Sequence, residues 1–174
     1  MDKKSLMDLY KKLFRRTSFW RLREKAKNGK GLVGLLYTYN YYKYLDKKNS
    51  FIPLSADIAN EPVFPHGIKG IFISSGAKIG NNAVIFHQVT VGSNTIKGSK
   101  GEGSPIIGNN VYIGAGAKII GNVNVGDNAR IGANCVVVND IPENSTAVLE
   151  KPRIIIHEQR NNNEFSTYDS TKDI

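Results

Sequence analysis

Large apolar side chains recur every six residues between Ile52 and Val137, apart from two interruptions. An α-helix repeats at about 3.6 residues and a flat strand at about 2, so neither explains this spacing. Three six-residue segments can instead close one triangular turn of a coil, and stacked turns bury a continuous core. The pattern therefore predicts an all-β main body of short parallel strands. The positions in phase are Ile52, Ile58, Phe64, Ile73, Ile79, Ile85, Val91, Ile107, Ile113, Ile119, Val125, Ile131 and Val137.

A shorter side chain often stands four residues after the large one. Each strand should then place one large and one small side chain inward, while Gly, Asn and Asp accept the backbone angles of the turns. The single cysteine, Cys135, falls at such a small inward position and has no partner for an internal disulfide. The other positions of this kind are Ala77, Ala83, Val89, Val111, Ala117, Val123 and Ala129.

The period is interrupted twice. The step from Phe64 to Ile73 is nine residues, and the step from Val91 to Ile107 is sixteen, through "GSNTIKGSKGEGSP". Polar, glycine-rich excursions from a rigid scaffold commonly build functional sites. We expect a site near one or both of them.

Two short helices are predicted before the coil. Apolar residues at helical spacing lie at Leu6, Leu9, Tyr10, Leu13 and Phe14, and the run "GLVGLLYTYNYYKYL" follows the break at Asn28-Gly29. The chain is thus divided into a basic helical N-terminal segment (1–50), the coil domain (51–157) and a polar C-terminal tail (158–174).

The formal charge of +9 is concentrated at one end of the chain. Residues 1–30 hold eleven Lys or Arg against three acidic residues, which leaves the main body nearly neutral. A nucleic-acid groove would need a basic main body, so no nucleic-acid partner is expected. Two interpretations remain for the basic segment. Its charges form a solvated face of helices packed on the coil, or a basic amphipathic helix with Phe14, Phe19 and Trp20 makes peripheral contact with an anionic membrane.

The compartment is inferred from what the N-terminus lacks. "MDKKSLMDLYKKLFRR" has no apolar core of a secretory signal, and no apolar run approaches the roughly eighteen residues of a membrane span. We expect a cytoplasmic protein.

The repeat resembles the left-handed parallel β-helix of the hexapeptide-repeat acyltransferases over about residues 51–157. The stretch from Gly103 to Pro142 looks most like the serine acetyltransferase branch and its related sugar or polysaccharide O-acetyltransferases. The resemblance implies a left-handed coil, acetyl-CoA (coenzyme A) as co-substrate without a metal, and a homotrimer with active sites between subunits.

The resemblance also implies site residues. In "FPHGIKGIFIS", His66 stands two residues after Phe64, as the catalytic histidine of the family does. Ala115 and Ala133, eighteen residues apart, match the small residues that contact the pantetheine arm of the coenzyme. Many relatives have a lysine near the coenzyme phosphates where this chain has Asn139, so the basic group that meets the phosphates is open.

A second histidine, His87, stands two residues after Ile85, three repeats beyond Phe64. His66 and His87 should therefore occupy equivalent corners of consecutive turns. A neutral imidazole suits removal of a hydroxyl proton near neutral pH, and a second donor could hold the oxyanion. His87 is a candidate second catalytic residue; alternatively it only caps a turn.

Three departures from the serine-specific pattern are visible; the first concerns the carboxylate partner of His66, and the other two bear on the acceptor. Phe51 replaces an aspartate fifteen residues before the histidine, with Asp57 only nine before it. Gly103 and Ser104 replace an Arg-His pair before Pro105. About fifty residues precede the coil, too few for the long helical domain of those enzymes.

The last two departures favour an acetyl-CoA-dependent O-acetyltransferase acting on a sugar or polysaccharide precursor, with serine O-acetyltransferase of cysteine biosynthesis as the alternative. Two other classes stay open. Some zinc carbonic anhydrases use this fold with three histidines, and this chain has His66, His87 and His157, but their closely spaced pair is absent. The other class is a catalytically inactive trimeric scaffold.

Overall fold

Two helices and twelve short strands form the part of the chain that the computed structural model describes, residues 18–160 and 163. The helices are α1 (Phe19–Asn28) and α2 (Gly31–Asp46). The strands are β1 (Asp57–Ile58), β2 (Phe72–Ile73), β3 (Lys78–Ile79), β4 (Val84–Ile85), β5 (Thr90–Gly92), β6 (Ile106–Ile107), β7 (Tyr112–Ile113), β8 (Lys118–Ile120), β9 (Asn124–Val125), β10 (Arg130–Ile131), β11 (Val136–Val137) and β12 (Thr146–Ala147).

The strands stack into three parallel four-stranded sheets that form the faces of a coil. Their orders are β1-β3-β6-β9, β2-β5-β8-β11 and β4-β7-β10-β12. The predicted apolar positions are in register, for example Ile85 with Ile113 and Ile113 with Ile131. The fold class predicted from the sequence, a left-handed parallel β-helix with a short helical N-terminal segment, is confirmed.

The core runs through the middle of the coil. The large apolar residues of the strands are at most 5% exposed from Ile73 to Val137, and the small residues four positions later are buried as well. Cys135 is 3% exposed and its Sγ lies 3.5 Å from the carbonyl oxygen of Ala147. It occupies the small inward position expected for it.

One corner of the coil is built from asparagines with left-handed backbone angles. Asn82, Asn110, Asn128 and Asn144 have φ between 55° and 60°, a region that asparagine enters more readily than most residues. The side-chain amides of the first three each donate to the amide oxygen of the asparagine in the next turn, over 3.0–3.2 Å. The ladder explains why this corner can repeat without strain.

The helical segment packs on the first turns of the coil. The buried Arg23 guanidinium donates to the carbonyl oxygen of Ala56 over 2.8 Å, and the Tyr41 hydroxyl donates to that of Ile52 over 2.6 Å. Burial raises the pKa of Tyr41, which keeps this hydroxyl a donor. The run that predicted the second helix is α2, whereas the helix predicted from Leu6 to Phe14 lies outside the described residues.

The aromatic residues of α1 also face the coil. Trp20 stacks on Phe64 with ring centroids 5.6 Å apart, and Phe19 stacks on Tyr41 at 5.6 Å. Two of the three aromatic residues assigned to a membrane surface are thus half-buried in packing, which favours helices packed on the coil; Phe14 lies outside the described residues. No helix in the described part of the chain is long and apolar enough to cross a membrane.

Candidate active site

One corner of the coil stacks the four predicted site residues in successive turns, and we call it the site corner. His66, His87, Ala115 and Ala133 each stand two residues after an apolar residue of the same face. Backbone hydrogen bonds join the turns: Gly116 N–H donates to the His87 carbonyl oxygen over 3.0 Å, and Asn134 N–H donates to that of Ala115 over 2.8 Å. The parallel register therefore brings together residues spread over 68 positions of sequence.

The two histidines touch. Their Nδ1 atoms are 2.9 Å apart, within hydrogen-bond distance, and their ring centroids are 4.9 Å apart at 44°. The His66 side chain is exposed and that of His87 is partly buried. The neighbouring corners expected from the spacing are present, while the catalytic roles of both residues stay predictions.

A third ring borders the pair. Phe86 meets the His66 ring edge-on, with centroids 5.2 Å apart and planes at 87°, and it contacts Tyr112 of the next turn at 5.2 Å. Edge-to-face contact is a favoured arrangement of aromatic rings. His66 thus contacts two consecutive residues of the following turn, Phe86 and His87.

The first excursion leaves the coil directly after His66. Gly67 and Gly70 have φ of 68° and 66°, angles that favour glycine, and a Cβ at Gly70 would stand 3.1 Å from the Gln88 Cγ. The excursion returns to the site corner where Gln88 N–H donates to the Lys69 carbonyl oxygen over 2.9 Å. The extra residues of the first interruption therefore form one wall beside the histidines.

Lys118 braces the same corner from the adjacent sheet, and nothing in the sequence pattern pointed to it. Its Nζ donates to the carbonyl oxygens of Gln88 over 2.7 Å and Gly116 over 2.8 Å. Because these residues follow His87 and Ala115, the lysine ties the histidine turn to the alanine turn.

The two alanines lie where consecutive turns approach closely. A Cβ at Gly114 would stand only 2.7 Å from the Ala133 nitrogen. Ala115 is partly buried and Ala133 is exposed, and in residues 18–160 the backbone N–H of neither has a protein hydrogen-bond partner. Small side chains with free amides leave room and donors for an extended, polar ligand chain.

The two positions considered for a carboxylate partner of His66 do not supply one. The Phe51 ring stacks on Tyr42 with centroids 6.4 Å apart, and Asp57 pairs in register with Lys78 on a different sheet. Among the described residues, the polar side chain bonded to His66 is that of His87.

The second excursion, residues 93–104, forms a hairpin that we call the insertion loop. Asn94 and Gly103 exchange backbone hydrogen bonds of 2.9 and 3.0 Å, and the hydroxyl oxygens of Ser93 and Ser104 are 2.7 Å apart. The loop borders an open cavity of about 450 Å³ at the corner that follows the β2-β5-β8-β11 sheet. Its lining includes Asn94, Lys100, Gly101, Ile120, Asn122, Val138, Asn139 and Asp140.

Lys100 thus lies in the cavity that contains Asn139. The family resemblance puts coenzyme phosphates near position 139, where this chain lacks the usual lysine. A loop residue about forty positions earlier in sequence brings a cation to the same cavity. Its distance along the chain is the reason that the sequence alone left this group open.

The described residues contain no group of three or more His, Cys, Asp or Glu side chains placed to hold a metal ion. His66 and His87 lie together, but His157 is exposed in the extended segment that follows the coil.

Comparison with known proteins identifies the repeat and its relatives. The family described as "Bacterial transferase hexapeptide (six repeats)" matches residues 104–139. A serine acetyltransferase of Helicobacter pylori is 43% identical over 90 residues, which are 52% of this chain and 51% of that protein. The match spans about half the length of that relative.

Solved structures give the same picture. Serine acetyltransferase isoform 3 of Entamoeba histolytica, in complex with cysteine, superimposes with a TM-score of 0.64 at 27% identity, over 81% of this chain and 50% of that one. The soybean serine acetyltransferase apoenzyme gives 0.60 at 31% identity, over 79% and 54%.

Fold and repeats together confirm the resemblance to the hexapeptide-repeat acyltransferases that the sequence indicated. The relatives and solved structures that match are serine acetyltransferases, so the resemblance to that branch is confirmed as well.

The preference for a sugar or polysaccharide acceptor was wrong, because the relatives and structural neighbours are serine acetyltransferases. The length argument fails because the 90 matched residues are nearly the same fraction of this chain and of the H. pylori enzyme, so the two are almost equally long. The two substitutions have packing roles: Phe51 stacks on Tyr42, and Ser104 bonds to Ser93. Neither specifies a sugar.

Proposed function

We propose that the protein is an acetyl-CoA-dependent serine O-acetyltransferase of cysteine biosynthesis. The observation that carries the proposal is the contact between His66 and His87 on the same corner as Ala115 and Ala133. The similarity to serine acetyltransferases supports serine as the acceptor. A cytoplasmic location remains part of the proposal.

In this reaction His66 acts as the general base. Its imidazole takes the hydroxyl proton of serine as the serine oxygen attacks the acetyl carbonyl carbon, and the coenzyme sulfur departs as the carbon–sulfur bond breaks. A base matched to neutral pH contributes roughly 10² to 10⁴ fold to such a step. His66 suits this role because its exposed ring is accessible to a substrate.

The coenzyme would extend along the coil from the site corner. The free N–H groups of Ala115 and Ala133 can donate to the amide oxygens of the pantetheine arm, and the absence of larger side chains lets that arm lie close to the backbone. Lys100, in the cavity shared with Asn139, would meet the phosphates. Charge-assisted hydrogen bonds of this kind are stronger than neutral ones.

A homotrimer with the site between subunits is part of the proposal. The outward-facing positions of two coil faces carry exposed apolar side chains, Phe72 and Val136 on one and Val63 and Tyr112 on the other, each at least 42% exposed. Exposed apolar surface of this kind favours association. Sedimentation as a monomer at micromolar concentration would count against the trimer.

A peripheral membrane contact is a separate part of the proposal. The contact predicted from the sequence was through the basic N-terminal helix, part of which lies outside the described residues. A different surface is proposed here, on α2, where Leu32, Leu35 and Tyr39 are 60–86% exposed, and Lys30 and Lys43 lie on the same helical segment. Apolar residues flanked by cations suit an anionic lipid surface. Pelleting with anionic vesicles should fall in a Leu32→Glu/Leu35→Glu double variant; equal pelleting of both proteins would refute the contact.

The assay of the proposed reaction follows loss of the acetyl-CoA thioester in the presence of serine. We expect serine-dependent thioester loss and formation of O-acetylserine, while alanine, which lacks the hydroxyl, gives only the background rate. A protein that binds coenzyme A but shows no serine-dependent turnover would overturn the proposal and favour the inactive scaffold. A protein that binds no coenzyme would overturn the whole transferase interpretation.

A further inference from the structure

The contact between the two histidines restricts where their protons lie. A hydrogen bond between two Nδ1 atoms needs one ring that carries a hydrogen at Nδ1 and one ring that does not. A neutral imidazole carries a single N–H, so two neutral rings in this contact adopt opposite tautomers. One ring then has an unprotonated Nε2 and the other has Nε2–H.

We propose that His87 is a positioning residue that accepts the Nδ1–H of His66 and so keeps the Nε2 of His66 free to receive the acceptor's proton. The direction of this hydrogen bond rests on the proposed function, which makes His66 the base. The hydrogen bond at one ring nitrogen decides which tautomer a histidine adopts, and a buried carboxylate commonly supplies it. Here a second imidazole takes that place.

No other described group competes for the role. The carboxylate position implied by the family resemblance is occupied by Phe51, whose ring stacks on Tyr42, and Asp57 belongs to another sheet. The Nδ1 of His87 is the polar side-chain atom that lies at hydrogen-bond distance from His66 in residues 18–160.

The coil holds His87 in place from both sides. Its carbonyl oxygen accepts from Gly116 N–H over 3.0 Å, and the following residue, Gln88, is bonded to Lys69 over 2.9 Å and to the Lys118 Nζ over 2.7 Å. The backbone under the accepting ring is therefore part of the hydrogen-bond ladder of the coil. Groups fixed by such a framework orient a catalytic side chain better than groups on a free loop.

The plane of the His66 ring is also restrained. Phe86, the residue before His87, meets that ring at 87° and is itself in contact with Tyr112. One turn of the coil thus supplies both the acceptor for Nδ1–H and an aromatic edge contact. Its two consecutive side chains restrain the ring's rotation as well as its tautomer.

The two histidines carry the proton of the reaction from the serine hydroxyl to the coenzyme sulfur. The serine O–H bond breaks as its oxygen bonds to the acetyl carbon, and the proton moves to His66 Nε2. The positive charge is shared with His87 across the Nδ1–H···Nδ1 hydrogen bond. The carbon–sulfur bond breaks with its electron pair on sulfur, and the pair returns one proton to that sulfur, giving the free thiol and the neutral pair.

Nitrogen-15 NMR of protein labelled at histidine tests the tautomers without any activity assay. The chain has three histidines, and the exposed His157 is an internal reference for a free ring. We expect His66 to show a protonated Nδ1 and a free Nε2, and His87 the reverse. In His87→Ala, the His66 tautomer ratio should return toward that of His157, a shift of roughly five-fold for one ordinary hydrogen bond.

Turnover supplies the second measurement. His87→Ala should lower kcat by about 10 to 10³ fold with an unchanged KM for acetyl-CoA, because it disturbs the base and not the coenzyme site. His87→Asn should recover part of the loss, since its amide oxygen is as many bonds from Cα as Nδ1 and can accept the same hydrogen. A residue that only caps a turn would give equal Ala and Asn variants.

The outcomes separate this inference from the proposed function. Serine acetylation at a normal rate with both rings in the tautomer mixture of His157 would overturn the positioning role and leave the function standing. Opposite tautomers in a protein that does not acetylate serine would confirm the pair and overturn the function.

Discussion

Asp127 accepts three hydrogen bonds from Asn109, which lies one turn earlier in the coil. Asp127 Oδ1 is 2.6 Å from the Asn109 backbone nitrogen, and the Asn109 Nδ2 lies 3.3 Å from Oδ1 and 3.2 Å from Oδ2. These bonds, the backbone one above all, hold the pKa of Asp127 below its ordinary value. The ionised carboxylate thus joins two consecutive turns of the coil through hydrogen bonds.

The first prediction follows from the sign of that shift. A carboxyl group whose pKa is lower in the folded than in the unfolded protein stabilises the fold above its unfolded pKa, about 3.9, and the contribution disappears as pH falls through the folded value. Asp127→Asn should therefore lower the thermal midpoint at pH 7 and have a smaller effect below about pH 4. Thermal unfolding from pH 3 to 7 measures the difference.

Asp57→Asn is the matched control for this experiment. In the described part of the chain the Asp57 carboxylate makes no hydrogen bond, so its replacement should change the midpoint little at any pH. A loss of stability in Asp127→Asn that does not depend on pH would show that the ionised carboxylate does not stabilise the coil.

The asparagine ladder yields the second prediction. Asn110 has φ of 55° and joins the ladder to Asn82 and Asn128. Asn110→Ala should lower the free energy of unfolding by about 1–3 kcal/mol, because alanine disfavours this angle and the amide bonds are lost. Asn110→Gly loses the same bonds but accepts the angle, so it should cost less in denaturant titration. Equal costs for the two variants would show that the backbone angle contributes nothing.

Much of the coil could be predicted from the sequence because its cause is local. Each face of each turn needs a large apolar residue inward, so the spacing of Ile73, Ile79 and Ile85 predicts the fold directly. The same counting predicted that His66 lies beside His87, because the number of six-residue repeats between two residues gives their relative positions in a regular coil.

Other features could not be predicted because they depend on contacts that have no periodic signal. Arg23 reaches backbone carbonyls from a separate helix, Lys118 reaches the site corner from an adjacent face, and Lys100 reaches the cavity from the insertion loop. The acceptor was misassigned for a related reason: Gly103 and Ser104, in place of an Arg-His pair, were interpreted as a change of substrate, whereas Ser104 bonds to Ser93 at the base of the insertion loop.

The third prediction concerns the coenzyme groove. Ala115→Leu or Ala133→Leu should raise the KM for acetyl-CoA with little loss of thermal stability, because both side chains face outward from the core. Ala129→Leu is the control: its site is fully buried, so overpacking should cost about 1–3 kcal/mol of stability. An unchanged KM in both Ala115→Leu and Ala133→Leu would show that these alanines do not contact the coenzyme.

The fourth prediction tests the cation at the cavity. Lys100→Ala should weaken acetyl-CoA binding by about ten-fold, the magnitude of one lost charge-assisted hydrogen bond. S-acetylpantetheine, which lacks the phosphates, should bind the variant and the unaltered protein equally. Lys97→Ala, in the same loop but not in the cavity lining, should change neither affinity. If Lys100→Ala weakened both ligands alike, the lysine would shape the loop and not meet a phosphate.

The last prediction concerns His66 itself. His66→Ala should lower kcat for serine acetylation by roughly 10² to 10⁴ fold, the loss typical of a missing general base. The KM for acetyl-CoA and the thermal midpoint should stay nearly unchanged, because the side chain is exposed and lies two turns from Ala115 and three from Ala133.

The double variant His66→Ala/His87→Ala decides whether the two rings work as one unit. If His87 acts only through His66, its removal costs nothing further once His66 is gone, so the double variant should be about as slow as His66→Ala alone. Losses that multiply would mean that His87 contacts the substrate independently, for example at the oxyanion. Full activity in His66→Ala would show that His66 is not the general base.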